Sequence, residues 1–201
     1  MIYFVDIKYL LSILIMLNYS FMNIQLHDSN IEDWQVLSDE STWVGWVKYD
    51  GIDWCRAKSV INAPIIEVQR LIENKIDYPK IFKRIKKTKI VTDEIVYIAL
   101  DMPFPFSDRD YVVKYINEKE GLDLIYSYYA VIDENVPIFD EYVRLKNSMG
   151  EWRLKIIDID KTEITYTWNG ELLGDFPNWA LPRAWKQQGL EVIDWLKDAL
   201  E

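Results

Sequence analysis

The hydrophobic positions change from helical spacing to strand-like runs at the start of the folded part of the chain. From Asp28 to Leu37 they recur every three residues behind polar capping candidates, which predicts a short helix. Two runs rich in β-branched and aromatic residues follow, at Trp43–Tyr49 and Trp54–Ile61. Asp50 and Gly51 lie between them, and this dipeptide is typical of a two-residue hairpin turn. The pattern therefore predicts a helix followed by a β-hairpin.

A helical segment bounded by prolines comes next. Pro64 stands in its first turn, where the missing N–H is not needed. The apolar face of this helix consists of Ile65, Val68, Leu71 and Ile72. Pro79 ends the helix, because proline cannot continue the pattern of backbone hydrogen bonds. A second, short helix is expected at Lys80–Ile85.

The rest of the chain is mostly extended and ends in a long helix. Turn residues separate the candidate strands, which are Lys87–Thr92, Ile95–Met102, Tyr111–Asn117, Leu122–Val131, Glu141–Lys146, Glu151–Ile157 and Glu163–Asn169. Residues 178–200 form a predicted helix, with Gly189 at the edge of its apolar face, which predicts close contact with the sheet. The positions that recur at helical spacing on this one broad face are Leu181, Trp185, Gln188, Val192, Leu196 and Ala199. This order predicts an α+β fold, in which a curved antiparallel sheet wraps around the C-terminal helix and leaves an internal cavity.

An apolar segment at the N-terminus is typical of an export signal. Tyr9–Leu17 follows Lys8, and its length suits the centre of a signal peptide and is short for a membrane span. Asp6 and the lack of an Ala-x-Ala site do not fit this pattern. We expect residues 1–25 to be a signal peptide or an anchor, and the protein to be exported (periplasmic or secreted) or membrane-anchored. A cytoplasmic protein with an apolar first helix, or with a misassigned start, is the alternative. The folded domain is then expected at residues 28–201.

Charge and composition exclude several classes of function. The formal net charge is −10, which argues against nucleic-acid binding and against strong docking on anionic lipid headgroups. The basic run Lys80–Lys89 is either a patch for a membrane or an acidic partner or, as we prefer, a solvated helix end. One cysteine, Cys55, and one histidine, His27, exclude a disulfide and a Cys/His zinc cluster. We expect no metal and no cofactor, and a site built on carboxylates alone is the alternative that stays open.

Three motifs occur in order along the chain. The first is Met102-Pro103-Phe104-Pro105-Phe106-Ser107-Asp108-Arg109-Asp110-Tyr111-Val112. The second is Tyr142-Val143-Arg144 followed by Gly150-Glu151-Trp152. The third is Lys161-Thr162 and Ile164-Thr165-Tyr166, followed by Gly174, Pro177 and Trp179 before the last helix. Together they resemble the START (steroidogenic acute regulatory protein-related lipid transfer) domain family over about residues 30–200.

This resemblance implies a helix-grip fold whose cavity holds a sterol, a phospholipid or another hydrophobic molecule. It also implies binding, transfer or sensing of that molecule and no catalysis. Two alternatives stay open: an enzyme of the wider superfamily, cyclase-like or hydrolase-like, that acts on an apolar substrate, and a protein-interaction module with a filled interior. Asp101, Asp108 and Asp110 surround Arg109, which favours ion pairing over acid–base catalysis.

One departure from the family pattern bears on the ligand. Sterol-carrying members have an acidic residue and an arginine inside the cavity, on the strands beside the Arg-Asp-aromatic motif. The corresponding strands of this chain have Val96, Tyr97 and Tyr115 near those positions. The resemblance therefore implies a ligand oriented by tyrosine hydroxyls, with a sterol disfavoured.

The candidate ligand-binding residues are mainly aromatic. They are Tyr97, Arg109, Tyr115, Tyr126, Tyr128, Arg144, Tyr166, Trp168, Trp179 and Trp185. The same-face aromatic pairs on the strands suit either a pocket wall or a ladder in the core. Arg109 either lines the cavity mouth or, as we prefer, binds loop carbonyl groups. Arg144 points either into the cavity or to solvent. We expect a monomer that binds a hydrophobic small molecule, with transient membrane contact left open.

Overall fold

Alternating aromatic and β-branched residues form one large antiparallel sheet. The computed structural model describes residues 31, 33–170, 172–173 and 176–201, and Asp33–Glu201 forms one unit. The strands found in these residues are β1 Gln35–Asp39, β2 Thr42–Tyr49, β3 Ile52–Ile61, β4 Ile85–Ile90, β5 Ile95–Leu100, β6 Asp108–Glu120, β7 Asp123–Ala130, β8 Tyr142–Arg144, β9 Met149–Asp158 and β10 Lys161–Asn169. The helices are α1 Ile65–Glu73, α2 Tyr78–Ile81 and α3 Leu181–Asp198, with 3₁₀ turns at Lys75–Asp77 and Asn178–Ala180.

The strand order places the first strands of the described residues next to the last strand. The order is β1-β2-β3-β10-β9-β7-β6-β5-β4, with β8 parallel to β6. The N-terminal hairpin therefore pairs with the last strand, and Cys55 lies opposite Trp168. One face of the sheet packs against the three helices and forms the main core. A smaller apolar cluster lies on the other face and contains Tyr97, Ala99, Val112 and Val136.

Two residues hold the long helix against β2 and β3. A Cβ added at Gly189 would come within 3.0 Å of both Val44 methyl groups, so glycine allows the close approach that the sequence predicted. The ring of Trp185 packs against Trp46 with 4.9 Å between centroids. Its indole N–H also donates a hydrogen bond to the Gly170 carbonyl at 2.9 Å. The helix is therefore fixed by its contact with one end of the sheet.

The structure confirms the predicted α+β class, the hairpin and the C-terminal helix. Asp50 and Gly51 both have positive φ, at 49° and 79°, as their turn requires. All seven predicted strands between β4 and β10 exist, with ends that differ by a few residues. No helix of the described residues is long and apolar enough to cross a membrane. The predicted signal segment lies outside the described residues.

Two short predicted helices are wrong in whole or in part. Gln35–Asp39, at the end of the first one, is a strand that pairs with β2, while residues 28–30 and 32 lie outside the described residues. Pairing with a neighbouring strand outweighs a weak spacing signal over so short a segment. The second helix occupies Tyr78–Ile81 because Pro79 is accepted in its first turn.

The basic run Lys80–Lys89 begins at the end of α2, as expected, but continues into an edge strand. Its C-terminal half is β4, and a lysine-rich edge discourages pairing with another sheet. Several of its cations also have partners within the chain: Lys80 with Asp77, Lys83 with Asp198, Arg84 with Glu191 and Lys86 with Asp108. These ion pairs reduce the positive charge that the run presents to an acidic partner.

Candidate functional site

A pocket lies between the helix-covered face of the sheet and α3. Its volume is about 440 Å³, within the range of small-molecule sites. Side chains from β5, β6, β7, β9 and β10 form one wall, and the α2 region adds Tyr78 and Phe82. The pocket reaches the surface at the loop after β5, where Asp101 and Pro103 are exposed. We call this loop, residues 101–107, the mouth loop.

The long helix presents different faces to the sheet and to the pocket. Trp185, Gly189, Ile193 and Leu196 are its buried residues and belong to the contact with the sheet. The pocket-lining residues of the helix are Arg183, Ala184, Gln187, Gln188, Glu191, Val192 and Trp195. The sequence pattern placed Trp185, Gln188 and Val192 on a single apolar face. The structure divides them, because the close contact at Gly189 sets the rotation of the helix.

Five tyrosines line the pocket, and we call them the tyrosine cluster: Tyr78, Tyr111, Tyr115, Tyr128 and Tyr166. The hydroxyls of Tyr128 and Tyr166 lie 2.8 Å apart and share a hydrogen bond. Tyr115 lies opposite Tyr128 on the neighbouring strand, with 5.6 Å between ring centroids. The Tyr78 hydroxyl donates to the Ile72 carbonyl at 2.6 Å. The cluster therefore places polar groups against an otherwise apolar wall.

Burial keeps these phenols neutral. Burial raises the pKa of Tyr166 to about 12, although the hydrogen bond with Tyr128 opposes this effect. For Tyr111, Tyr115 and Tyr128, burial is again the largest cause, and nearby phenols add to it, so each pKa lies well above 10. At neutral pH the cluster therefore consists of hydroxyl groups that can donate hydrogen bonds.

An ion pair also lines the pocket, on the helix side. Arg84, between α2 and β4, binds Glu191 of α3 through two hydrogen bonds of 2.6 and 2.9 Å. Burial raises the pKa of the Glu191 carboxyl, but hydrogen bonds from Arg84 and Gln187 outweigh it and hold the pKa below its usual range. Sequence analysis missed this pair, because the two residues are far apart in the chain and their meeting depends on the rotation of α3.

A row of stacked aromatic rings continues the sheet wall of the pocket. The Tyr166 ring stacks on Trp152 at 4.0 Å and on Trp168 at 4.8 Å, with interplanar angles of 19° and 17°. Phe82 stacks on the far side of Trp152 at 6.0 Å. These four residues line the pocket and also belong to the core. The two interpretations of the aromatic pairs, pocket wall and core ladder, therefore describe the same residues.

The structure brings together four of the ten candidate residues in the pocket: Tyr115, Tyr128, Tyr166 and Trp168. Tyr126 faces the same side of the sheet, but its hydroxyl bonds Glu73 of α1 at 3.0 Å. Trp185 packs on β2, as described above. Trp179 lies before α3 and is 85% exposed. None of these three is among the residues that line the pocket.

Tyr97 and Arg144 lie on the opposite face of the sheet from the pocket. Tyr97 packs against Phe139, because its neighbours Val96 and Ile98 take the inward positions of β5. Arg144 forms two hydrogen bonds of 2.8 Å with the fully buried Asp110. It therefore points neither into the cavity nor freely to solvent, which were the two expected positions.

Arg109 is an internal tie that joins two loops. It is 1% exposed and donates to the carbonyls of Leu172 and Leu173 at 3.0 and 2.8 Å, and also to Ser107. These contacts connect the mouth loop to the segment before α3, as our preferred interpretation of Arg109 expected. It does not line the pocket.

The acidic residues near Arg109 are separated by their partners. Lys86 binds Asp108 at 2.7 Å and approaches Asp101 at 3.6 Å, while Asp110 binds Arg144. They therefore do not form a pair of carboxylates facing one substrate. Among the described residues, no group of three or more His, Cys, Asp or Glu side chains could hold a metal ion.

Sequence reasoning also missed Tyr78, Phe82 and Tyr111. Tyr111 could have been found, because it alternates with Val113 and Tyr115 along one predicted strand and therefore shares their face. Tyr78 and Phe82 gave no comparable signal, since Tyr78 begins and Phe82 follows a one-turn helix whose position was predicted incorrectly.

Comparison with known proteins supports the fold. No family model matches the chain. An uncharacterized protein of Pseudomonas aeruginosa is 24% identical over 177 residues, which is 85% of this chain and 88% of that protein. A STAR-related lipid transfer protein from Xanthomonas axonopodis has a TM-score of 0.74 and 21% identity, over 84% of this chain and 99% of that chain.

Two further structures extend this similarity. Human StAR-related lipid transfer protein 5 has a TM-score of 0.75 at 13% identity and covers 90% of this chain and 91% of its own. The Zhui aromatase/cyclase from Streptomyces sp. R1128 has a TM-score of 0.51 at 15% identity, with coverage of 73% and 92%. The chain therefore has a START-like helix-grip fold.

Proposed function

We propose that this protein binds a hydrophobic small molecule, such as a lipid, in the pocket between α3 and the sheet, and carries or senses it without changing it. The observation that carries the proposal is the 440 Å³ pocket, whose wall is mostly aromatic and aliphatic. The START-like fold supports it, because solved structures with this fold include proteins named for lipid transfer.

The state of the polar groups supports binding over catalysis. A general acid or base works best when its pKa lies near the operating pH. The phenols of the tyrosine cluster have pKa values far above neutrality, and the pKa of Glu191 lies below its usual range. Arg84 and Gln187 also occupy the carboxylate oxygens of Glu191.

A cyclase-like enzyme is the second candidate, favoured by the similarity to an aromatase/cyclase and by the polar groups inside the pocket. Turnover of an apolar substrate, abolished by Glu191→Gln and retained in Glu201→Gln, would establish this alternative. Substrate that is bound and recovered unchanged would support the carrier function.

The binding proposal can be tested by filling the pocket. Ala184→Trp places a large ring on the pocket face of α3, while Asp194→Trp places the same ring on its exposed face. We expect native mass spectrometry to detect an apolar guest in the parent protein and in the Asp194 variant, and to find it lost from the Ala184 variant. If no guest co-purifies and fluorescent lipids fail to bind the parent protein, the proposal is wrong.

We further propose that the protein reaches its guest through transient contact with a membrane. Phe104 and Trp179 are 97% and 85% exposed, and they lie on the mouth loop and on the turn before α3. Phe106 and Phe176 connect these segments, with 4.5 Å between their ring centroids. Arg109 also links the mouth loop to the segment before α3, because it donates hydrogen bonds to the Ser107 and Leu172 carbonyls. Exposed aromatic residues at a pocket mouth suit the interface of a bilayer.

We also propose that the protein is exported or anchored by its N-terminal segment, on the basis of the apolar run Tyr9–Leu17. As a separate proposal, we expect the protein to be a monomer. Mass spectrometry of the protein from its own host tests the N-terminus. A cleaved or membrane-associated N-terminus is expected, whereas an intact one in the soluble cytoplasmic fraction would refute it. Light scattering during size-exclusion chromatography measures the molar mass and so tests whether the protein is a monomer.

A further inference from the structure

The tyrosine cluster has more hydrogen-bond donors than the described residues accept. Tyr78 uses its proton on the Ile72 carbonyl. Tyr128 and Tyr166 share one hydrogen bond, so whichever hydroxyl accepts it still has its own proton to donate. The Tyr111 hydroxyl has no hydrogen-bond partner in the part of the chain that the structure describes. At least two phenolic protons therefore remain for an acceptor inside the pocket.

These donors face the same space. Tyr111 and Tyr115 are on one face of β6, Tyr128 lies opposite Tyr115, and the Tyr128 hydroxyl meets that of Tyr166. All of these side chains line the same pocket. A guest in this pocket therefore faces phenolic groups from three strands.

Charge indicates which kind of acceptor fits. The charged residues among the described lining are Arg84, Asp101, Arg183 and Glu191, which belong to the helix side and the mouth. Arg84 and Glu191 bind each other, Lys86 lies 3.6 Å from Asp101, and Arg183 is exposed in the first turn of α3. A charged guest group beside the tyrosines would lose its water without meeting a counter-ion, which is costly. A neutral oxygen would accept the available protons at little desolvation cost.

The volume limits the size of the guest. The pocket of about 440 Å³ falls in the range of cavities that bind drug-sized molecules. A two-chain phospholipid is far larger than this.

We propose that the tyrosine cluster is a subsite for a carbonyl oxygen, and that the guest is an uncharged, mainly apolar carbonyl compound of drug-like size. This inference rests on the proposed binding function and adds the chemical class of the ligand. Phenolic hydroxyls orient the guest by its oxygen, and the aromatic and aliphatic wall holds its carbon skeleton.

Three matched probes test the subsite. The ketone 6-propionyl-2-(dimethylamino)naphthalene is small enough for a pocket of this volume, and its emission reports hydrogen bonding to its carbonyl. The 6-propyl analogue lacks the oxygen, and the 6-carboxylate analogue carries a charge. We expect the ketone to bind the parent protein about tenfold more tightly than either analogue, as one or two good hydrogen bonds would give.

Two variants test the residues. In Tyr111→Phe/Tyr128→Phe/Tyr166→Phe, which removes all the available phenolic protons, the preference for the ketone should fall close to one, and the emission of the bound ketone should shift to shorter wavelength. Tyr126→Phe is the matched control, because Tyr126 faces the same side of the sheet but bonds Glu73 outside the pocket lining. It should leave both readouts unchanged. Circular dichroism melting checks that each variant folds, and Tyr111→Phe alone, which should lower the preference, serves if the triple variant does not fold.

The outcomes separate this inference from the proposed function. Equal binding of ketone and propyl probes would overturn the carbonyl subsite while leaving the binding function intact. Tighter binding of the carboxylate, or a two-chain phospholipid retained in native mass spectrometry, would overturn the guest class. Failure of all probes, together with failure of the co-purification test, would overturn the proposed function itself.

Discussion

Gly150 of β9 leaves the space that the hydroxyl of Tyr128 occupies on the neighbouring strand. A Cβ added at Gly150 would lie 2.5 Å from the Tyr128 oxygen and 2.8 Å from the Thr167 carbonyl oxygen. The hydroxyl that meets Tyr166 is therefore in place because residue 150 has no side chain. A glycine of the sequence motif thus shapes the polar part of the pocket.

Gly150→Ala is expected to destabilise the fold by about 1–3 kcal/mol, because the added methyl group displaces Tyr128. Urea unfolding measures this loss. In a Tyr128→Ala background the same substitution should cost less, since only the contact with Thr167 remains. Equal costs in the two backgrounds would show that Tyr128 and Gly150 are not coupled.

Arg109→Met is expected to lower the free energy of unfolding by about 2–4 kcal/mol, because it leaves buried carbonyl groups without donors. Arg109→Lys should lose a similar amount, since one ammonium group cannot reach all the carbonyls that the guanidinium binds. The exposed Arg183 of α3 provides the control, and Arg183→Met should change stability by less than about 0.5 kcal/mol. A mild effect of both Arg109 substitutions would contradict the internal tie.

Asp110→Asn should destabilise the protein by about 3–5 kcal/mol, because Arg144 would keep its charge without its carboxylate partner. The pair is well suited to a double-mutant cycle. Asp110→Asn combined with Arg144→Met should recover most of the loss, as measured by chemical denaturation. Additive effects would show that the two side chains do not depend on each other.

Alkaline pH should weaken the fold through the tyrosine cluster. The pKa of Tyr166 is raised to about 12 in the folded protein, against about 10 in an unfolded chain. The stability from this group is complete below pH 10 and is lost as pH rises from 10 through 12, by about 2–3 kcal/mol. Tyrosinate absorbance and circular dichroism, recorded together, should show ionisation of the cluster coinciding with unfolding. Early ionisation of all tyrosines in a folded protein would contradict this.

Replacement of Phe104 and Trp179 by alanine should weaken binding to neutral phosphatidylcholine vesicles about tenfold or more, with unchanged stability. The residues are exposed, so their loss removes little from the folded state. Ile159→Ala removes an equally exposed apolar residue at the β9–β10 turn and should have no effect. Vesicle flotation measures the difference. Loss of binding in the Ile159 variant as well would indicate nonspecific adsorption.

The helices and strands that could be predicted from the sequence are those with a strong local signal or with motifs at a fixed spacing. The hairpin at Asp50 and Gly51, the strands and the C-terminal helix are of this kind. The position of a side chain relative to the pocket depends on tertiary packing, and here prediction was weaker. Trp185 and Tyr97 were candidate ligand contacts because they are aromatic, yet one packs on β2 and the other lies on the far face.

The residues missed by sequence analysis have the same explanation. Arg84 and Glu191 meet because Gly189 sets how α3 lies on the sheet, and no pattern around either residue reports that rotation. Tyr111 is different, since strand alternation alone places it beside Tyr115. The order of helices and strands can thus be predicted from local sequence patterns. The arrangement of the polar groups in the pocket cannot, because it depends on packing between segments that are distant in the chain.

The two faces of α3 have different roles, because one anchors the helix on the sheet and the other borders the pocket. Trp185 and Gly189 fix the helix on β2 and β3, whereas Ala184, Gln188 and Val192 border the pocket one position away. Substitutions on the second face can alter which molecule fits without disturbing the anchorage of the helix. Related chains can therefore diverge in ligand while keeping one scaffold, and the helix that closes the fold is also where a new specificity can arise.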